Sequence, residues 1–259
     1  MLTARVLRAF CYSTRPEWDN FGRLCRDGRG VPPKFLTLPD RFGAEIWDTL
    51  NGARVLDYGC GYGADVIDCL HHGINASGFD VRDFVLAAAR RQAEGAGVTG
   101  PFYRPDESHG LRGAFDYILS VNCFEHYLNP AAVLRHMRWL LKPTGVVLAY
   151  FSPPWLHPYG GHVREMTPLP WVHLLFPERA VMRLRTEYYA ENATCYEDAA
   201  GGLNRMTVAK FKHVIAGSPF GFRRLELLPI RGIRAVTKIA GLRELLTTAV
   251  RAELIPNDL

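Results

Sequence analysis

The chain has 259 residues, of which 48% are hydrophobic, so it can bury a sizeable core and is not a disordered protein. Its formal charge of +5 is concentrated after position 204, where Lys and Arg outnumber Asp and Glu by ten to four. Six scattered cysteines without a CxxC pair argue against a disulfide framework and favour a cytoplasmic location, and no apolar run is long enough to span a bilayer.

The first part of the chain leads into a buried strand. Residues 1–35 are mixed in character and are interpreted as an N-terminal flap over a ligand site, with a packing extension as the alternative. The next residues predict a helix that begins near Pro39 and ends at Asn51-Gly52. The apolar run Arg54–Tyr58 then predicts the first strand of a sheet.

A glycine-rich turn follows that strand. Gly59, Gly61 and Gly63 occupy alternate positions, and helical spacing resumes at Ala64. A strand that turns through glycines into a helix brings backbone N–H groups and a helix N-terminus up to a ligand. The spacing of the glycines and Ala64 fits a dinucleotide site, a nucleoside site without phosphates, or a turn that holds no ligand.

Two carboxylates decide between these ligands. Asp57 stands two residues before the first glycine, where it would repel a diphosphate but not an ammonium group. Asp80 ends the next apolar run, at the position where such folds bind ribose hydroxyls. Because there is one carboxylate at each of two strand ends and no phosphate-binding lysine, the sequence predicts a nucleoside that carries an amino acid. S-adenosyl-L-methionine is such a molecule.

The rest of the chain alternates strands and helices before and after one interruption. The predicted elements are strand Ala76–Phe79, helix Arg82–Glu94, strand Phe102–Tyr103, strand Phe115–Val121, a helix capped by Asn129, strand Val146–Phe151, helix Thr207–Ala216, strand Phe222–Ile230, a basic helical segment over 232–246 and a last strand Ala249–Ile255. The alternation predicts an α/β fold with a doubly wound sheet. We expect a cofactor-binding core at 36–151, an inserted acceptor cap at 152–204, and the C-terminal part of the core sheet at 205–259.

The predicted cap is rich in proline, histidine and aromatic residues, which is typical of a pocket for an apolar acceptor. The candidates for lining that pocket are Trp155, His157, Tyr159 and Trp171. His162 follows two glycines that let the backbone approach a ligand, so it is a candidate general base. His126, just after the fourth strand, is a second candidate base, with a structural role as its alternative.

A metal site in the cap is a further alternative. His157, His162 and Glu165 are the residue types that bind zinc, but their spacing fits no helix face. We therefore expect no metal. Ser152-Pro153-Pro154-Trp155 is similar to the Pro-Pro-aromatic loop of nucleic-acid amino-methyltransferases, but it follows the fifth strand instead of the fourth and is interpreted as a rigid turn.

Taken together, four segments resemble the class I S-adenosylmethionine-dependent methyltransferases, in particular the bacterial group that acts mostly on small molecules. The segments are VLDYGCGYG at 55–63, GFD at 78–80, FDYILSVNCFEH at 115–126 and LKPTGVVLAY at 141–150. The resemblance implies a Rossmann-like seven-stranded sheet, mostly parallel with an antiparallel last strand. It also implies cofactor contacts from the turn glycines and from the polar residues Asp57, Asp80, Asp106 and Asn122.

The function expected from the resemblance is methyl transfer to a small hydrophobic or ring-bearing acceptor, with oxygen favoured over nitrogen or carbon. Two other functions stay open. The chain could be a non-catalytic S-adenosylmethionine-binding partner subunit, or a nucleic-acid methyltransferase that uses its basic C-terminal part. That basic part is also compatible with weak peripheral contact with a membrane, although a solvated surface is the simpler interpretation.

Overall fold

The computed structural model describes residues 2–12, 36–164, 166–189 and 192–257. The expected flap over 1–35 therefore lies mostly outside the described residues, as does Glu165 of the metal alternative. Within the described part, the first helix, α1, spans Leu2–Arg8. Leu7 on this helix is fully buried and packs with residues of the predicted cap.

Seven strands form one sheet in the order β3-β2-β1-β4-β5-β7-β6. The strands are β1 Arg54–Tyr58, β2 Asn75–Phe79, β3 Phe102–Tyr103, β4 Phe115–Val121, β5 Leu141–Phe151, β6 Phe220–Pro229 and β7 Thr247–Pro256. The first five strands pair in parallel, whereas β7 is antiparallel to both β5 and β6. This confirms the predicted mostly parallel Rossmann-like sheet with an antiparallel last strand.

The helices after α1 cover both faces of the sheet and build the cap. They are α2 Leu38–Phe42, α3 Ile46–Leu50, α4 Ala64–His71, α5 Asp83–Gly95, α6 Pro130–Leu140, α7 Val172–Leu175, α8 Glu178–Tyr189, α9 Val208–Ala216 and α10 Ala240–Leu246. Asn129 and Thr207 cap α6 and α9 as predicted, because each side chain accepts a hydrogen bond from a backbone N–H of the first turn.

Several predicted boundaries differ from the structure, among them the basic segment over 232–246, which is an α-helix only at Ala240–Leu246. Two of the differences have local reasons. The single helix expected between Pro39 and Asn51 is two helices, because Gly43 has a φ of 108° that a helix cannot continue through. Strand β5 begins at Leu141 instead of Val146. Lys142 is the second residue of this strand, and its ammonium group pairs with Asp116 on the adjacent β4, at 2.7 Å.

Three apolar clusters hold these elements together. Two of them lie on opposite faces of the sheet, one around Phe115, Phe151 and Phe211 and the other around Val55 and Leu119. The third cluster lies within the predicted cap and includes residues of α7 and α8 together with Leu7. The cap segment thus buries an apolar core of its own beside the carboxyl ends of the strands.

Candidate active site

A cavity of about 510 Å³ opens at the carboxyl ends of β1, β2 and β4. Carboxyl ends of parallel strands meet at one edge of such a sheet, and ligands of doubly wound folds bind at that edge. The cavity is lined by Tyr58, Gly59, Gly61, Phe79, Asp80, Val81, Arg82, Pro105, Val121, Asn122, Cys123, His126, Tyr127, Leu128, Val133 and Gly201. The sequence-predicted site residues in this lining are two of the three glycines, Asp80, Asn122 and His126.

The glycine turn forms one wall of the cavity. Gly59 and Gly63 have φ values of 90° and 82°, which residues with a Cβ rarely adopt. A Cβ on Gly59 would stand 2.5 Å from the Cys123 thiol, and one on Gly63 would stand 2.9 Å from the Phe102 ring. The backbone N–H groups of Gly59 and Cys60 both donate to the carbonyl of Phe79, which fastens the turn to β2.

Asp80 lines the cavity and is 6% exposed. Its carboxylate accepts hydrogen bonds from the backbone N–H of Gly61 at 3.1 Å and of Arg82 at 3.0 Å. The guanidinium of Arg82 donates two more, from Nε at 3.0 Å and from Nη2 at 3.1 Å. The carboxylate that the sequence assigns to the ribose is therefore held in place from both the turn and the start of α5.

The other predicted cofactor residues lie at different depths. Asp57 is buried at the end of β1, just behind the turn, and its charge adds to burial in raising the pKa of the Cys60 and Cys123 thiols. Asn122 lies at the cavity with a φ of 50°, and its backbone N–H donates to the Tyr150 carbonyl. Asp106 is not among the lining residues and pairs with Arg104 at 3.1 Å, although its neighbour Pro105 lines the wall.

His126 faces the cavity from the loop after β4. Its Nδ1 lies 2.7 Å from the carbonyl oxygen of Gly202. Because a carbonyl can only accept, Nδ1 carries the proton, and the Nε2 of the neutral ring keeps its lone pair. Burial lowers the pKa of His126, and the Gly202 carbonyl offsets this only in part, so the ring is neutral near pH 7.

His162 lies behind His126, and the two ring centroids are 5.4 Å apart. The Nε2 of His162 is buried and has no hydrogen-bond partner. Burial, with smaller contributions from His126 and Arg185, lowers the pKa of His162 to about 3. The structure thus brings the two predicted bases together, but only His126 belongs to the cavity lining.

Three of the four predicted acceptor-pocket side chains form hydrogen bonds with backbone groups of the cap. Trp171 donates to the Leu156 carbonyl, Tyr159 donates to the Pro168 carbonyl, and His157 accepts from the backbone N–H of Tyr159. The Trp155 ring packs edge-on against the rings of His173 and Tyr196. Among the described cap residues, Gly201 lines the cavity, so none of these four side chains lies at this wall.

Sequence reasoning missed two side chains of the cavity lining, Arg82 and Tyr127. Arg82 lines the cavity beside Asp80, and an arginine at the position that caps α5, where Ser, Thr, Asp or Asn is preferred, was the available signal. The Tyr127 hydroxyl donates to the carbonyl of Tyr58, at the end of β1. Glu125 is 3% exposed, and burial raises its pKa to about 8 against the opposing effect of the Glu125 and Ser152 backbone groups.

Two further features of the described residues bear on the alternatives. In that part of the chain, no three or more histidine, cysteine or acidic side chains form a group that could hold a metal ion. None of its helices is both long and apolar enough to cross a membrane.

The sheet order and the glycine-walled cavity together define the fold as that of the Rossmann-like methyltransferases. A family model described as "Methyltransferase domain" matches residues 31–192. The chain therefore belongs to the methyltransferase-domain family. Its fold and family are those of the S-adenosyl-L-methionine-dependent methyltransferases, as the sequence predicts.

Relatives and solved structures agree with this assignment. The chain is 31% identical over 138 residues to a ubiquinone biosynthesis O-methyltransferase from Cronobacter sakazakii, covering 52% of this chain and 54% of that protein. It is 35% identical over 140 residues to the protein of that name from Dinoroseobacter shibae, covering 51% and 56%. A solved S-adenosylmethionine-dependent methyltransferase from Mesorhizobium loti has a TM-score of 0.50 at 20% identity, covering 82% and 98%. The chain spans about half the length of the curated relatives it matches.

Proposed function

We propose that this enzyme transfers the methyl group to a hydroxyl oxygen of a small acceptor, with His126 as the general base. The observation that carries the proposal is the Nδ1 contact of His126 with Gly202, which leaves Nε2 able to accept a proton at the cavity wall. The O-methyltransferase names of the relatives support oxygen as the receiving atom. An apolar wall that includes Tyr127, Leu128 and Val133 suits a ring-bearing or hydrophobic acceptor.

The residues present fit the cofactor. Gly59 and Gly61 line the cavity wall, where a Cβ on Gly59 would clash with the Cys123 thiol, and Asp80 presents a carboxylate where such folds bind the ribose hydroxyls. When bound, the cofactor supplies an electrophilic methyl group. Asn122 and the glycine turn then orient the donor, while the acceptor lies toward His126 and Leu128 on the cap side.

The histidine acts by receiving one proton. Nε2 of His126 would receive the hydroxyl proton as the acceptor oxygen takes the methyl group, which the cofactor would supply while its sulfur keeps the bonding electron pair. The Gly202 carbonyl fixes the ring orientation and favours the imidazolium that forms. Release of that proton to solvent restores the neutral ring. His162 packs against this ring and supports its position.

Substitution of His126 tests the proposal. We expect His126→Gln to leave the affinity for S-adenosyl-L-methionine within about twofold and to lower turnover of a hydroxylated acceptor by about 10²–10⁴-fold, since that is the typical contribution of a general base. Calorimetry and a methyl-transfer assay measure the two effects, and the exposed His213 provides a control as His213→Gln. Unchanged turnover in His126→Gln would remove it as the base.

The nucleic-acid alternative has weaker support. Several basic side chains of the C-terminal strands are paired with carboxylates: Arg223 with Glu253, and Arg224 and Arg251 with Glu226. Pairing leaves less free positive charge for phosphates than the sequence count suggests. We therefore favour the small-molecule acceptor.

A further inference from the structure

Arg82 stands where local rules favour a different residue. It is the N-cap of α5, and no side-chain hydrogen bond caps this 13-residue helix. Ser, Thr, Asp and Asn are preferred at such positions because a short side chain can accept from the first turn. The Arg82 side chain instead turns back onto Asp80, through Nε and Nη2. A residue that breaks a local rule at a ligand site is a candidate for function.

The acceptor capacity of Asp80 is already full. An ionised carboxylate has about four lone-pair sites. The backbone N–H groups of Gly61 and Arg82 fill two, and the Arg82 guanidinium fills the other two. A ribose diol donates two hydrogen bonds, so two of the present donors must leave before the cofactor can bind in the predicted manner. The backbone donors are fixed by the turn and the helix, whereas the guanidinium is on a side chain that is 46% exposed.

The displaced guanidinium has room on the cap side of the cavity. Its Nη1 lies 3.9 Å from the point where a Cβ on Gly201 would stand, so the glycine leaves that side open. Arg82 is also close enough to His126 for its charge to contribute to lowering the pKa of that ring. Arg82 therefore lies between the ribose site and the proposed base.

Arg82 is the single Lys or Arg among the described lining residues of the cavity. Once the guanidinium is released from Asp80, it is a forked cation in a partly buried, otherwise largely apolar compartment. Such a group binds a carboxylate through two parallel hydrogen bonds. An acceptor that carries a carboxylate would therefore be oriented by Arg82 with its hydroxyl near His126.

We propose that Arg82 is a specificity-determining latch: the cofactor ribose displaces it from Asp80, and the freed guanidinium then binds a carboxylate on the acceptor. The inference rests on the proposed function for the position of the acceptor. Two consequences follow. Arg82 competes with the cofactor for Asp80. The acceptor binds after the cofactor, because the anion site forms only when the Arg82 guanidinium has left Asp80.

The first test measures cofactor binding alone. Arg82→Ser removes the competing guanidinium and supplies a preferred N-cap, so we expect it to bind S-adenosylhomocysteine about three- to tenfold more tightly than wild type in calorimetry. Arg223→Gln is a matched control, because Arg223 is similarly exposed and pairs with Glu253 far along the sheet. We expect its affinity to be unchanged. Equal or weaker binding by Arg82→Ser would overturn the latch.

The second test measures the anion site with a probe pair of equal shape, benzoate and benzamide. In ligand-observed NMR with saturating S-adenosylhomocysteine, we expect wild type to bind benzoate at least fivefold more tightly than benzamide. The preference should vanish in Arg82→Ser, persist in part in Arg82→Lys, and weaken when S-adenosylhomocysteine is omitted. Equal binding of the two probes by wild type would overturn the carboxylate assignment.

A third variant separates this inference from the proposed function. His126→Gln should lose turnover while it keeps the preference for benzoate, since Arg82 is unchanged. If His126→Gln loses the preference for benzoate together with turnover, the latch is refuted while the proposed role of His126 as the base stands. If Arg82→Ser fails to fold, as judged by circular dichroism, Arg82→Lys carries both tests: it should bind S-adenosylhomocysteine more tightly than wild type, because an ammonium group lacks the guanidinium fork.

Discussion

At the scale of single residues, burial decides the charge state of the groups around the cavity. His126 and His162 are both kept neutral by burial, and Glu125 is kept protonated by it. The tautomer of His126 depends on the carbonyl of Gly202, which is distant in sequence. The protonation of Glu125 depends on burial by the folded chain, against the opposing effect of the Ser152 backbone. Sequence reasoning could therefore name His126 as a candidate but could not choose between it and His162.

The contribution of Glu125 to the free energy of unfolding decreases as pH rises. Its pKa is about 8 in the folded protein and near 4.5 when the chain is unfolded, so the native state holds one more proton between these values. Stability from this group is complete below about pH 4.5 and is lost as pH rises through about 8. Glu125→Gln keeps the shape without the charge, and we expect it to gain up to about 3–5 kcal/mol relative to wild type by pH 9. Urea unfolding from pH 5 to 9 measures this difference, and a constant offset between the two proteins would contradict it.

At the scale of elements, the strand–turn–helix unit was the most predictable part of the fold. Strand β1, the glycine turn and α4 follow from local signals alone, namely an apolar run, alternate glycines and resumed helical spacing. The break at Gly43 and the early start of β5 were missed, because both depend on geometry that the pattern of apolar residues does not record. Arg82 was missed for a similar reason, because its pairing with Asp80 depends on the conformation that the arginine side chain adopts at the start of the helix.

Two glycines of the turn should respond differently to the same substitution. Gly63→Ala meets the Phe102 ring at 2.9 Å and the Ala89 Cβ at 3.1 Å in a left-handed conformation, so we expect a loss of about 2–4 kcal/mol of folding stability. Gly61 has a positive φ but open space around its Cβ, so Gly61→Ala should cost only about 1–2 kcal/mol. Its Cβ would project at the cavity wall, and we expect cofactor affinity to fall more than stability does. Urea unfolding and calorimetry on both variants separate the effects, and equal stability losses would contradict this account.

At the scale of the whole molecule, the distribution of charge selects the ligand. The net positive charge lies mainly in the last fifth of the chain, whereas the carboxylates Asp57 and Asp80 lie at the ligand edge of the sheet. A doubly wound sheet with glycines at this edge could serve a dinucleotide equally well, so the fold alone does not define the cofactor. The feature that favours one cofactor over the other is Asp57, two residues before the first glycine. The sequence shows this carboxylate, and the structure shows that it is buried. Its effect on a nearby diphosphate is strong because a charge is screened less in the interior than in water.

This selection predicts different responses to two cofactors that both contain adenosine. S-adenosyl-L-methionine at about 100 times its Kd should stabilise the folded protein by about 2.7 kcal/mol, which raises the melting temperature by roughly 5–10 °C. NAD at equal concentration should give no shift, because its diphosphate would lie against the turn that Asp57 backs. Asp80→Asn serves as the control: it keeps the shape of the wall but weakens the ribose contacts, so its shift with S-adenosyl-L-methionine should fall below that of wild type. A shift with NAD equal to that with S-adenosyl-L-methionine would show that Asp57 does not discriminate between them, and the electrostatic argument for the cofactor would fail even though the family assignment stands.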